Sequence, residues 1–376
     1  MSAAPSEESY ALVSAKANSI AAPILDYQPP QPRTYAPRIA LIGAGGISFA
    51  HLVAYRKAGF DVAAICGRTL EKAEARRNEF FPQADVTADF DALLNRGDIG
   101  VFDITTHPAE RLPLMEKALN AGKHVLSQKP FVLDLDTGLR LADLADTKGV
   151  KLAVNQNGRW APYVRYAQLA IDRGLIGEVQ SLTVNVCWDH GWVAGTPFDR
   201  IHHLLLFDFA VHWVDMACCF MGRPPRTAHA MLTKGPGQKV TPPLIGSAQL
   251  AFDAGLATFH FDGCTKCGAF ESIQIIGTKG RISATGKPLE AHHLELITSE
   301  GIARPNLEGH WMPDGFGGTM GELLCAIDEN RQPYHSAAHN LRSLEAVFAL
   351  IASADEGRTV RVGEARNVGA NCQIQP

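Results

Sequence analysis

Asp208 and His212 stand four residues apart, a spacing that sets both side chains on one face of a helix, and Asp215 follows three residues later on the same face. A histidine titrating near neutrality suits removal of a proton from a secondary alcohol. A carboxylate beside it can orient the imidazole or hold a neighbouring hydroxyl. Lys129 adds a cation that can donate to the alcohol oxygen and relay a proton. It lies just past a strand-like run over 124–127 and precedes Pro130, which biases its backbone to an extended form and helps fix where the ammonium points. Such a set still needs an acceptor for hydride.

A place for that acceptor lies earlier, at Gly43-Ala44-Gly45-Gly46-Ile47-Ser48. This turn follows the apolar run 38–42 and opens a helical stretch around 51–58, the context in which Gly-x-Gly binds a dinucleotide. The first glycine permits the tight turn and the second lets a pyrophosphate approach the backbone. The helix start then offers free N–H groups and the positive end of its dipole. Ser48 stands where a third glycine or alanine often sits. After the second strand, an acidic residue would accept the adenosine ribose hydroxyls, but here Gly67, Arg68 and Thr69 follow Cys66. With no carboxylate to repel a 2'-phosphate, NADP is favoured and NAD remains possible; Arg68 alternatively stacks on the adenine. Thr105, Thr106, His107, Gln128, Lys129 and Asn157, each near the end of a strand-like run, complete the expected cofactor-binding set.

Strand-like runs at 38–42, 61–66, 101–105, 124–127 and 151–154 alternate with helical segments at 70–80, 111–121 and 136–148, the last two closed by Gly122 and Gly149. This alternation predicts a doubly wound parallel sheet. Beyond about residue 156 a helix over 164–173 gives way to strand-like runs at 181–188, 247–252, 257–261, 272–276 and 293–298, which predict an open, mostly antiparallel sheet with flanking helices. The expected fold class is therefore α/β. Its three parts are a proline-rich arm over 1–37, a dinucleotide-binding domain over 38–156, and a substrate-binding and oligomerisation domain over 157–376. The arm, with Pro29, Pro30 and Pro32, either wraps a neighbouring domain or subunit or is a disordered tail.

With 35 basic and 39 acidic residues and no block of like charge, neither nucleic acid nor a membrane surface is an expected partner. No run approaches the ~20 apolar residues of a membrane helix, and Glu7 and Glu8 sit where a signal peptide would be basic. A cytoplasmic protein with reduced thiols is the expectation; Cys264-x-x-Cys267 lacks a second pair at zinc spacing.

Three further segments, taken with the glycine turn, resemble the Gfo/Idh/MocA family (glucose-fructose oxidoreductase and inositol dehydrogenase). They are Ala121-Gly122-Lys123-His124-Val125-Leu126-Ser127-Gln128-Lys129-Pro130, Gly174-Leu175-Ile176-Gly177-Glu178-Val179, and Asp208-Phe209-Ala210-Val211-His212-Trp213-Val214-Asp215. The resemblance spans roughly 38–222. It implies that His212 is the acid/base, that Asp208 holds or orients a substrate hydroxyl, and that Lys129 completes the site. It also implies a homo-oligomer, and NAD(P)-dependent interconversion of a secondary alcohol and a ketone on a sugar, polyol or glycoside. Other members run a redox-neutral cleavage or isomerisation through a keto intermediate, and some relatives are non-catalytic regulators. The presence of both Lys129 and His212 argues against the last. Three positions depart from the family pattern: Gln128 replaces a glutamate, Thr106-His107-Pro108 replaces Thr-Pro-Asn, and Arg111 replaces a histidine.

Two more segments complete the expected substrate set. Asn155-Gln156-Asn157-Gly158-Arg159-Trp160 is rich in amides, with an arginine and an indole that suit a polyhydroxylated ligand, or else it is a domain hinge. His202 and His203 precede the His212 helix and are expected to line the substrate pocket. With His190, His212 and Asp208 they also raise a metal reading, but the spacing matches no helical zinc pair and the resemblance implies metal-independent hydride transfer.

Overall fold

The computed structural model describes residues 18–368. After a short β1 (Ser19–Ile20), the chain builds β2 (Arg38–Ile42), α1 (Ser48–Ala58), β3 (Val62–Cys66), α2 (Leu70–Phe80), β4 (Asp85–Thr87), α3 (Phe90–Leu94), β5 (Ile99–Ile104), α4 (Pro108–Asn120), β6 (His124–Gln128), α5 (Leu135–Thr147) and β7 (Leu152–Asn155). Strands β2 to β7 form one parallel sheet in the order β4-β3-β2-β5-β6-β7. Every residue of β3 and β7 is buried, as strands covered by helices on both faces require. The order reverses beside β2, so the carboxyl ends of β2 and β5 open a crevice at the switch point.

The second half runs α6 (Pro162–Asp172), β8 (Val179–Cys187), α7 (Val211–Met221), β9 (Thr227–Thr233), β10 (Ile245–Ala251), β11 (Leu256–Asp262), β12 (Phe270–Gly277), β13 (Gly280–Gly286), β14 (His292–Thr298), β15 (Gly301–Ala303), α8 (Trp311–Asp328), α9 (Ala337–Glu356) and β16 (Val360–Arg361). Its strands, with β1, form a ten-stranded sheet in the order β1-β15-β14-β13-β12-β8-β11-β10-β9-β16. All its pairings are antiparallel except β8 with β11 and β1 with β15. Alternating burial in β8, β10 and β11 shows one face packed under helices and one face left open. The parallel-then-antiparallel architecture is the one the sequence predicts.

Spatial packing and chain order part company at α8. Phe316, Met320, Leu323 and Leu324 of this late helix share a core cluster with Leu52, Ala54 and Tyr55 of α1 and with β2 and β3. Glycines on the other sides of this helix admit further close partners: a Cβ on Gly318 would lie 2.3 Å from Trp160, and one on Gly321 would lie 2.1 Å from the Pro30 carbonyl. Residues 18–37 of the arm run across both halves, and residues 1–17 lie outside the described residues. Ser19–Ile20 pairs with β15, the Tyr27 hydroxyl accepts from Glu308 N at 2.9 Å, and the Asp328 carboxylate at the end of α8 accepts from the backbone N–H groups of Arg33, Thr34 and Tyr35.

Glu271 on β12 pins the helices that carry the site. Its Oε1 accepts from Tyr163 Oη of α6 at 2.7 Å and from Trp213 Nε1 of α7 at 3.2 Å, while Oε2 is buried without a partner. Burial pushes this carboxyl up to about 7 because the anion loses its hydration. The folded chain therefore holds a proton that the unfolded chain releases, so this contribution is full below the unfolded value of 4.5 and is lost as pH rises through about 7. Glu271→Gln keeps the acceptor oxygen and is expected to flatten that pH dependence, raising stability at pH 8 by up to about 3 kcal/mol. Thermal melts at pH 5 and pH 8 check this; equal pH dependence in both proteins overturns it.

Candidate functional site

The strand–turn–helix at the end of β2 is fixed by backbone bonds before any ligand is considered. Gly43 N donates to Cys66 O at 2.8 Å, Thr105 N donates to Ile42 O at 2.8 Å, and Thr105 Oγ1 donates to Gly43 O at 2.8 Å. Gly43 has φ +109°, and a Cβ there would lie 2.7 Å from Thr105 Oγ1, so the turn admits only glycine. Gly45 and Gly46 face open space. Helix α1 starts with no side-chain cap and no acidic residue in its first turn, leaving N–H groups and a positive dipole end for an anion. These features fit a dinucleotide pyrophosphate.

The turn opens on a cavity of about 970 Å³, which brings together every cofactor-side residue named from sequence: Gly43, Gly45, Gly46 and Ile47; Gly67, Arg68 and Thr69; Thr105, Thr106 and His107; and Gln128, Lys129 and Asn157. Lys72, one turn into α2, adds a second cation to the Arg68 end. Arg68 is 88% exposed and pairs with Glu110 at 2.9 Å, so an acidic residue does sit near this end of the cavity, supplied by α4.

Lys129, Asp208 and His212 line the same cavity. Lys129 Nζ donates to the Asp208 carbonyl at 2.8 Å and lies 3.3 Å from its carboxylate. The expected single helix is modified here: Asp208 lies in a π-helical turn (Leu205–Phe209) that precedes α7, where His212 sits. The His212 Nδ1 is buried without a partner, leaving Nε2 as the nitrogen available to the cavity. Desolvation, reinforced by the nearby Lys129 cation, holds this imidazole well below the usual histidine value of 6.5. Both causes favour the neutral ring.

Beneath Lys129 runs a buried network that the sequence reading missed. Asp103 Oδ2 lies 2.7 Å from His51 Nδ1 and accepts from Tyr55 Oη at 2.7 Å. Both the Gln128 and Asn155 amides approach His51 Nε2 at 3.1 Å. Gln128 Oε1 accepts the Lys129 N–H at 2.7 Å and Asn155 Oδ1 accepts from Thr319 at 2.8 Å, so both amide nitrogens must donate to His51 and its proton sits on Nδ1. Arg111 is buried as well, donating to the main-chain carbonyls of Thr106, Gln128 and Pro130. It lines the cavity, with its guanidinium spent on holding the surrounding loops.

Four of the residues expected to meet substrate do not line this cavity. The Arg159 guanidinium is buried against Asp215 at 2.6 and 2.7 Å, and Ser343 also donates to Asp215, so Asp215 turns away from the His212 face. Trp160 is buried under α8 against Gly318. His202 and His203 turn towards Asp355 on α9, with His203 Nε2 at 2.9 Å from its carboxylate. Proximity in sequence misled here, because Asp355, more than 150 residues further on, engages both rings. The substrate end is instead lined by Trp188, Trp192, Phe198, Phe209, Trp213 and Trp311. The Trp188-x-x-x-Trp192 pair was visible as a signal but has no characteristic spacing.

A parallel-sheet crevice with a glycine turn, sharing one cavity with Lys129, Asp208 and His212, has the form of a dinucleotide-dependent oxidoreductase site. Comparison with known proteins agrees: residues 37–156 match the oxidoreductase family with an NAD-binding Rossmann fold, and residues 164–283 match the GFO/IDH/MocA C-terminal domain. The chain belongs to the Gfo/Idh/MocA family. It is 26% identical over 349 residues to a D-apiose dehydrogenase of Paraburkholderia graminis, a match covering 86% of this chain and 89% of that one. It is 25% identical to an inositol 2-dehydrogenase of Rhizobium meliloti, covering 86% and 99%. In three dimensions it resembles an oxidoreductase from Agrobacterium radiobacter in complex with NAD+, L-tartaric acid and magnesium, with a TM-score of 0.78 at 21% identity, covering 88% of this chain and 99% of that one. No helix among the described residues is long and apolar enough to cross a membrane.

Proposed function

We propose that this protein is an NAD(P)-dependent dehydrogenase that interconverts a secondary alcohol and a ketone on a sugar, polyol or glycoside. The observation that carries the reading is that His212, Lys129 and Asp208 open on the same cavity as the glycine turn. When bound, the oxidised dinucleotide supplies the hydride acceptor. His212 takes the hydroxyl proton, Lys129 donates to the carbinol oxygen as it becomes a carbonyl, and Asp208 holds Lys129 in place and can accept from a neighbouring hydroxyl. The names of the relatives, an apiose dehydrogenase and an inositol dehydrogenase, support this substrate range. The open face of the ten-stranded sheet suits a homo-oligomer interface.

A panel of sugars, polyols and glycosides with each dinucleotide, followed by nicotinamide absorbance, tests the reading. Substrate conversion with no net absorbance change favours the redox-neutral alternative. For the cofactor, Arg68 and Lys72 favour NADP over NAD, with a 2'-phosphate competing with Glu110 of α4 for the Arg68 guanidinium. Arg68→Ala is expected to raise the KM for NADP about tenfold, the order of one lost charge-assisted contact, and to change that for NAD much less. Equal effects on both dinucleotides, or a wild-type preference for NAD, overturn the assignment.

A further inference from the structure

We propose that the substrate end of the cavity takes a glycoside carrying a planar aromatic aglycone; the inference rests on the dehydrogenase reading and sharpens its substrate. The polar groups at this end are concentrated at one pole, Lys129, Asp208 and His212, which are sufficient for one carbinol and one neighbouring hydroxyl. The remaining wall is aromatic and continuous. His107 lies 6.0 Å from Phe198, Phe198 lies 5.7 Å from Trp192, and Trp192 lies 6.3 Å from Phe209, which directly follows Asp208.

The ring orientations separate an aromatic occupant from a sugar ring. A sugar packs its C–H face on one aromatic plane. Here Trp192 meets Phe198 at 68° and Phe209 at 72°, so the wall offers ring edges as well as ring faces, against which a flat aromatic group gains both offset-stacked and edge-to-face contacts. Trp192 is 54% exposed at this wall, apolar surface that a ligand would cover. The wall is also held in shape. Asp199 accepts from Gly195 N at 3.1 Å and Thr241 N at 2.7 Å, Asp189 accepts from Gly191 N at 2.8 Å, and Thr196 Oγ1 donates to Val193 O at 2.7 Å. A wall fixed by its own loop bonds binds with less ordering cost.

The experiment compares free sugar, methyl glycoside and phenyl glycoside in gluco, galacto and manno configurations, with the enzyme and its preferred dinucleotide. The expected result is a kcat/KM for the phenyl glycoside at least about tenfold above that of the matching methyl glycoside, with that ratio falling towards one in Trp192→Ala and in Phe198→Ala. Phenyl glycosides are also expected to quench tryptophan fluorescence of the dinucleotide-bound enzyme. If free sugars, polyols or methyl glycosides are oxidised as well as phenyl glycosides, the aglycone slot is overturned while the dehydrogenase reading stands. Absence of both quenching and turnover with phenyl glycosides overturns the slot, and absence of hydride transfer across every sugar, polyol and glycoside overturns the dehydrogenase reading itself.

Discussion

Lys129→Met is expected to lower kcat by about a thousandfold, the scale of removing one preorganised donor from a developing oxyanion, while leaving dinucleotide affinity within about threefold. The ammonium lies 15% exposed, against an Asp208 that is equally shielded, so its field at the carbinol oxygen is little screened by water. Methionine keeps the side chain's length and apolar stem but removes the charge and all three donors. The variant also strands the Asp208 carboxylate without its cation, and a shielded, unpaired charge destabilises. Lys129→Met with Asp208→Asn removes that penalty. A double variant that recovers its melting temperature but has a kcat well below that of Asp208→Asn alone separates lost polarisation from lost folding. Steady-state kinetics beside dinucleotide titration by nicotinamide fluorescence is the measurement. A rate within tenfold of wild type in either variant sinks the assignment.

Much of the first half was legible because its signals are local. The run Arg38–Ile42, the turn Gly43-x-Gly45 and the opening of α1 are consecutive in sequence, and each demands a particular backbone. Gly43 alone, with its positive φ and its contact with Thr105, ties β2 to β5 and so announces the crevice. The substrate half was less legible because burial is decided by partners far along the chain. Arg159 carries a charge and Trp160 an indole, as a sugar site often does, yet one satisfies Asp215 and the other fills the gap that Gly318 leaves on α8. Nothing within residues 155–160 foretells a helix at residue 311 returning to cover them. His202 and His203 precede the helix of His212, which points to the pocket, yet Asp355 on α9 claims them instead.

Gln128 shows how a departure from family pattern becomes intelligible once its neighbours are known. As a glutamine it donates to His51 Nε2 and accepts from Lys129 N at once, which suits an imidazole whose proton already faces Asp103. A glutamate in its place would set a lone pair against a lone pair unless His51 took a second proton. The residue at this position therefore sets how the network beneath Lys129 is satisfied, a consequence invisible from the sequence because His51, Asp103 and Asn155 lie on three other elements.

His212→Asn is expected to cost about a hundredfold to ten-thousandfold in alcohol oxidation, the range for loss of a positioned general base, and to remove the acid limb of the pH profile. In the native protein that limb lies below pH 6.5, because desolvation and Lys129 keep the imidazole neutral well below the value of a free histidine. Oxidation thus persists through pH 6, where an exposed histidine would already be mostly protonated. Ketone reduction, which needs the proton that His212 lacks at neutrality, is expected to accelerate as pH falls. Stability follows the same direction. The unfolded chain takes up a proton near 6.5 that the folded chain refuses, so this group's contribution is present above that pH and is lost as pH falls below it. Asparagine has no such titration, so the variant's melting temperature is expected to fall less steeply than the native protein's between pH 7 and pH 5. Rate profiles in both directions, beside melts across that interval, test one residue by two unrelated readouts. An acid limb at or above 6.5 would place the proton acceptor elsewhere, and unchanged reduction across the range would remove His212 from the reacting atoms.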